Sequence, residues 1–355
     1  MSFLSGIGPI KARQIIEKLN DVSQLFELTP HQLSKLTDIP KNVFVKMKPK
    51  QALEEAEKTL EFNFKNKIQT HYYLDQKYPS KLSQCVDAPL ILFQKGNFDF
   101  KSQRFVAIVG TRDASDYGRK ICKELIASFQ NKNIVVVSGL AHGIDTYAHQ
   151  YALEFNVPTI AVLGHGLDRI YPSVNKTLST KIIEQSAILT EFKQGTAPDR
   201  ENFPKRNRIV AGMCDATIVI ESKIKGGSLI TARLANDYNR DVFAFPGNVF
   251  NEGSQGCNNL ISTDQAHLIQ SPEDFMKIMG WEERPVNASI QPKLFNDLNQ
   301  DQELITRLLS ENKSLQIDVI SQMLNLPMSK LNSELFSLEM MGIIVGLPGK
   351  QFRIN

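Results

Sequence analysis

No stretch of the 355 residues approaches the length of an apolar membrane span, so no membrane partner is expected. Cysteine is scarce: Cys85, Cys122, Cys214 and Cys257 stand alone, with no CxxC pair and no matched spacing. That argues against a disulfide framework and the common zinc motifs, and favours reduced thiols. The opening MSFLSGIGPIKAR has no charged segment leading into an apolar core, so a cytoplasmic location is expected. Excess charge is also small. A formal net charge of +3 does not announce a nucleic-acid partner, and any such claim must rest on local clustering of cations. Two nucleotide fingerprints are missing as well. No GxGxxG follows the first strand-like run and no GxxxxGKS or GxxxxGKT occurs, which removes the dinucleotide and P-loop readings. His142, His149 and His165 lack a second HxxxH or a CxxC to complete a site, so neither a metal nor a cofactor is expected.

What is present suggests two or three domains. Across residues 105–280, the runs VAIVG, IVVVSG, TIAVLG, AILTEF, ATIVIES and DVFAFPG alternate with segments of helix length such as DYGRKICKELIASFQNK. The runs are continuous in Val and Ile instead of alternating with polar residues, as strands covered on both faces are. The pattern predicts a doubly wound parallel α/β sheet over residues 65–280. Residues 1–64 predict short helices. There LSGIGPIKARQIIEKL, with Gly6 and Gly8, is similar to the hairpin of a helix-hairpin-helix (SAM-like) module or is a plain helical packing unit. Residues 281–297 hold two prolines and little periodicity and read as a linker. From 298 to 355, three helical stretches precede two apolar runs joined at Pro348-Gly349, which predicts a winged-helix domain with a hairpin turn.

Ligands of an open parallel sheet bind outside the carboxyl ends of its strands, and those ends carry the glycines here. They read Gly110-Thr111-Arg112, Ser138-Gly139, Gly164-His165-Gly166 and Glu221-Ser222, followed by Gly226-Gly227-Ser228 before a helix. Such turns suit close approach of an anion to backbone amides, although each glycine alone could serve only a tight turn. Cations crowd the same edge: Arg112, Arg169, Lys205, Arg206, Arg208, Lys223 and Lys225, against Asp145, Asp168, Glu191 and Glu221. Arg206 and Arg208 are two apart and point to different sides of a helix. One is expected to pair with a carboxylate such as Glu191 and the other to face the ligand. Phe203 beside this cluster offers a ring on which a base could stack, or a staple holding the helix entry to the sheet. Tyr117 and Tyr171 are weaker stacking candidates.

The ordered motifs GTRDASDYG, SGLAHGIDTYAH, GHGLDRIYPSVN, FPKRNRIVAG, GGSLITARLA and FPGNVFNEGSQGCNNLI together resemble the bacterial DNA-processing protein A (DprA/Smf) family. The resemblance implies an extended Rossmann-like domain that binds single-stranded DNA, forms a homodimer through that domain, hands the strand to the RecA recombinase during natural transformation, and performs no catalytic step. Carried over by position, it implies a pocket of Arg112, Arg200, Phe203 and the cluster Lys205, Arg206 and Arg208. Gly110, Ser138, Gly139, Gly226, Gly227 and Ser228 would contribute backbone contacts. Two departures stand out: Gly226-Gly227-Ser228 where the family often has Ser-Gly-Ser, and Asp264-Gln265-Ala266 where a glycine-alanine pair is usual.

An enzyme is the principal alternative, a nucleotide phosphoribohydrolase with Glu191, Glu221 and Asp145 as acid and base. Such enzymes share a PGGxGTxxE turn, and here KGGSLITAR places Arg233 where the glutamate is needed. A transcription regulator reading duplex DNA through the winged helix is opposed by charge. Residues 298–355 carry Arg307, Lys313, Lys330, Lys350 and Arg353 against Asp301, Glu303, Glu311, Asp318, Glu334 and Glu339. A third helix offering Glu334 and Glu339 to phosphates is repelled, so a protein-contact or packing role is expected of that domain.

Overall fold

The computed structural model describes residues 1–4, 6–19, 21–101, 103–282, 298–312, 314–347 and 350–354. Most of the expected linker, Lys313 and the Pro348-Gly349 turn lie outside these. The chain divides into two compact units, Met1–Glu282 and Glu283–Asn355.

The first unit opens with five helices: α1 (Pro9–Lys18), α2 (Gln24–Glu27), α3 (Pro30–Thr37), α4 (Lys41–Val45) and α5 (Pro49–Lys65). Proline begins α1, α3 and α5, where its missing N–H costs no hydrogen bond. Thr29 and Gln32 close a capping box at the start of α3. Gly6 has a φ of +79°, a left-handed conformation natural to glycine, which allows the tight turn into α1. Ile15, Leu25, Leu33 and Phe44 form a small core that also takes in Leu90 from the segment leading into the sheet. Arg13 fastens the helices there by donating to the Cys85 carbonyl at 2.9 Å.

The sheet contains β1 (Ile68–Tyr72), β2 (Ile91–Gly96), β3 (Arg104–Val109), β4 (Ile134–Ser138), β5 (Thr159–Leu163), β6 (Ala187–Thr190), β7 (Ala216–Val219), β8 (Asp241–Ala244) and β9 (His267–Leu268). Short α6 (Ser80–Ser83) separates the first two strands. The later connections are α7 (Asp116–Ala127), α8 (Ile144–Glu154), α9 (Lys176–Gln185), α10 (Asn202–Met213), α11 (Ser228–Asp237) and α12 (Glu252–Ser262), with α13 (Pro272–Ile278) at the end. Strand order is β1-β2-β6-β5-β4-β3-β7-β8-β9. All neighbours from β6 to β9 are parallel, whereas β1 and β2 add an antiparallel edge that the repeating pattern did not reveal.

Alternation along β3 explains its unbroken apolar run. Phe105, Ala107 and Val109 join one core with Ile209 and Val210 of α10 and Leu229 of α11. Val106 and Ile108 join the opposite core with Cys122 and Leu125 of α7 and Ile144 of α8. Each fully buried aliphatic side chain contributes on the order of 1.5–3 kcal/mol, so both faces hold the sheet. The direction in which strands are added reverses at β3. Successive strands step away through β4, β5 and β6, and the chain then returns to place β7 on the other side of β3. A switch of this kind leaves a crevice outside the carboxyl ends of the two strands.

The second unit has α14 (Gln300–Ser310), β10 (Leu315–Gln316), α15 (Ile317–Leu324), α16 (Met328–Met340), β11 (Ile344–Leu347) and β12 (Gln351–Ile354). Three helices and an antiparallel sheet ordered β10-β12-β11 make a winged helix around Ile305, Ile320, Leu331 and Leu335. The charges expected on the outside of α16 are tied within the unit. Lys330 pairs with Asp301 at 2.5 Å, Glu334 accepts from Gln302 at 2.8 Å, and Glu339 accepts from the Gly346 amide at 3.0 Å. Glu334 and Ser337 are half-buried, while Phe336, Met340 and Met341 are exposed.

Candidate nucleic-acid interface

A cleft of about 720 Å³ occupies the switch point between the ends of β3 and β7. Gly110, Thr111 and Arg112 line it from the first strand, and Lys223, Lys225, Gly226, Gly227 and Ser228 from the second. The opening of α10 adds Arg200, Phe203, Pro204, Arg206 and Asn207. Gly110 is required by close approach: a Cβ there would lie 2.5 Å from Ile144 Cγ1. The Thr111 amide donates to the Glu221 carbonyl at 2.7 Å, joining the two strand ends. The N-termini of α10 and α11 both open on the cleft, but the first already holds the Asp199 carboxylate, which accepts from the Glu201 amide at 2.8 Å, so the dipole of α11 is the one that favours an anion.

Arg206 forms part of the floor. It is 6% exposed, and its carboxylate partner Asp145 is 3.8 Å away, beyond hydrogen-bond reach. Its Nε is buried without a hydrogen-bond partner. Asp145 is itself engaged, its Oδ2 accepting from the amides of Gly139 at 3.2 Å and Ala141 at 3.4 Å. Burial lowers the Arg206 pKa and raises that of Asp145, and each charge partly offsets the other's shift. At the rim, Arg112, Arg200 and Lys225 are exposed and have no ion-pair partner among the described residues. Lys223 is paired with Glu252 at 3.2 Å. The floor and rim thus hold more positive charge than the surrounding carboxylates neutralise.

One wall is aromatic. The Phe203 and Tyr171 rings lie 6.2 Å apart at 33°, and the Arg112 guanidinium sits 5.7 Å from the centre of the Phe203 ring. Phe203 also packs on Gly164 at the end of β5, so it both staples the helix entry and faces the cleft.

Several expected residues stand elsewhere. Ser138 is buried and donates to the Ile108 carbonyl at 2.7 Å. Gly139 lies behind Arg206: a Cβ on it would fall 1.2 Å from Nη1. Arg208 pairs with Glu191 and donates to the Asp87 carbonyl, so of the two arginines it is Arg206 that lines the cleft. Lys205 is exposed on α10 outside the cleft, and Arg169 pairs with Asp168 at 2.7 Å. Tyr117 is engaged by the Pro246 carbonyl. Asn207, Ile230 and Thr231 line the cleft without having been expected there. The three-to-four spacing of Phe203, Arg206, Asn207 and Val210 marks one helix face, a signal that charge alone passes over.

The carboxylates needed by a hydrolase are committed to structural partners. Glu221 accepts from the Ser115 amide at 2.9 Å and its hydroxyl at 2.5 Å, and Glu191 holds Arg208. His165 is bonded through both ring nitrogens, to the Gly166 carbonyl at 2.9 Å and the Tyr171 amide at 3.2 Å. His149 contacts Thr159 at 2.7 Å, yet its Nε2 is buried without a partner, unlike a fully satisfied core histidine. Among the described residues no group of three His, Cys, Asp or Glu is gathered for a metal, and no helix is long and apolar enough to cross a membrane.

Fold and cleft define a Rossmann-like protein whose switch-point crevice is electropositive at floor and rim and aromatic on one wall. Residues 69–280 match the DNA recombination-mediator protein A family, and residues 292–350 the DprA winged helix domain. The chain belongs to the DprA/Smf family. It is 43% identical over 224 residues to the DNA processing protein DprA of Streptococcus pneumoniae, covering 63% of this chain and 78% of that one. Protein Smf of Escherichia coli is 33% identical over 284 residues, covering 78% and 75%. Among solved structures, the DNA processing protein A of S. pneumoniae superposes with a TM-score of 0.67 at 38% identity, over 78% of this chain and 94% of that one. The DNA processing protein A of Helicobacter pylori, solved for its single-stranded DNA binding mode, gives a TM-score of 0.54 at 29% identity, over 60% and 95%.

Proposed function

We propose that this chain binds single-stranded DNA in the switch-point cleft. The observation that carries the reading is Arg206, a buried guanidinium on the cleft floor with an orphaned Nε and a carboxylate too distant to bond. A backbone phosphate would supply charge-assisted hydrogen bonds to it. The amides that open α11 meet the same anion, and Phe203 with Tyr171 offers rings to an adjacent base. The single-stranded form suits this wall, because bases in a duplex are already stacked on one another.

The family supports the rest of the proposal: a DNA-processing protein of the cytoplasm that protects incoming strands, passes them to the RecA recombinase, forms a homodimer through its Rossmann-like domain and catalyses no reaction. In this reading residues 1–64 are the helical module, 65–280 the binding domain, 281–297 the linker and 298–355 the winged helix. The tying of Glu191 and Glu221 to structural partners disfavours the hydrolase.

Fluorescence anisotropy of labelled oligo-dT across a salt series tests the cleft, with equal-length duplex as competitor. Each cation contacting a phosphate of a single strand contributes about 0.7 to the slope of log affinity against log salt. Arg112→Ala, Arg200→Ala and Lys225→Ala are expected to weaken binding and each to flatten that slope by about this amount. Wild-type affinity and slope in all three variants would place the strand elsewhere.

A further inference from the structure

Phe250 is 92% exposed although it lies on a braced loop. The loop follows β8, which runs parallel to β7, and so emerges on the same edge of the sheet as the cleft. Asn258 brackets Gly247, accepting from its amide at 3.1 Å and donating to its carbonyl at 3.0 Å. Asn248 accepts from the Phe250 amide at 2.9 Å, and Asn251 caps α12 by accepting from the Gly253 amide at 2.9 Å. Folding thus fixes the backbone on either side of a large apolar ring and leaves the ring in water, where it gains nothing from burial.

Beside the ring is a second depression of about 410 Å³, lined by Thr111, Asp113, Ser115, Glu221, Lys223 and Phe250 among others. Thr111 and Lys223 also line the main cleft, so the two depressions adjoin across these residues. Their charge differs. The second holds Asp113, Glu221 and Glu252 against Lys223 alone, which disfavours a phosphate, while carboxylates accept hydrogen bonds from the N–H edges of bases.

We infer that Phe250 is a second base-stacking platform, which takes an unpaired base of the strand as it leaves the cleft over Lys223. This rests on the single-strand reading of the cleft and extends it by a further contact. The backbone passes the shared positions and the base turns toward the ring, as in other sites that pair a cationic track with aromatic platforms.

The test compares wild type, Phe250→Ala and Phe250→Trp on labelled oligo-dT strands of increasing length. Strands short enough to fill only the cleft are expected to bind all three alike. With longer strands, wild type and Phe250→Trp gain affinity, while Phe250→Ala falls behind by about fivefold or more, the effect of losing one stacked base. Phe250→Trp should also show quenching of tryptophan emission that wild type, with only Trp281, does not show. Equal affinities for wild type and Phe250→Ala at every length overturn the inference while leaving the cleft intact. So does a change in self-association at unchanged affinity per protomer, which would assign the ring to a protein contact. Failure of wild type to bind any strand overturns the cleft reading, and this inference with it.

Discussion

Gly139 and Arg206 are best understood as a pair. The space that a Cβ at position 139 would take is filled by the guanidinium end of Arg206, so the glycine sets where the floor cation lies. Because the obstructing atoms end a flexible side chain, Gly139→Ala is expected to shift Arg206 and leave the fold standing. The expected result is about tenfold weaker oligo-dT binding, the cost of about 1.4 kcal/mol in one displaced contact, with a melting temperature close to wild type. Anisotropy and thermal unfolding on the same samples check this, and unchanged affinity would separate Gly139 from the site. A glycine at a strand end is legible in the sequence. That it yields to an arginine 67 positions later is not, because only the packed helix brings the two together.

At the scale of elements, legibility follows burial. β3 to β8 are visible as continuous apolar runs because helices cover both faces of the sheet. β1, IQTHY, escaped the same reading because it is an edge strand with two exposed residues in its centre, and β2, ILFQKG, because Gln94 and Lys95 cut its apolar run to three residues. On α10 the sequence shows that Arg206 and Arg208 diverge, but the phase that sends Arg208 to Glu191 comes from docking on the sheet. Helix α8 adds a pH dependence. Burial, with Arg206 nearby, lowers the pKa of His149 to about 3, whereas the unfolded chain titrates near 6.5. Above the unfolded value both states are neutral and the full stability is present. As pH falls below it, the unfolded state alone takes up the proton, and stability is lost at up to about 1.4 kcal/mol per pH unit. Denaturant unfolding between pH 7.5 and pH 5 should show this loss, and His149→Gln should reduce its slope by about one proton. An unchanged slope in that variant would rule His149 out as its source.

For the whole molecule, the division into Met1–Glu282 and Glu283–Asn355 leaves every cleft residue in the first unit. Deleting residues 298–355 is therefore expected to keep oligo-dT affinity within about twofold of wild type, since no phosphate contact is removed. Anisotropy on the truncated chain decides this, and a collapse in affinity would make the winged helix a direct contributor. Its exposed Phe336, Met340 and Met341 suit an apolar contact better than a phosphate-lined groove. Glu221 connects the two lips of the crevice: its carboxylate caps α7 through Ser115 while its carbonyl receives the Thr111 amide. The lips are thus tied to each other before any strand arrives. Capture then spends little backbone entropy on the protein side, so the ordering cost falls on the flexible strand and the rim side chains, and the speed of encounter is governed by the field of the rim cations.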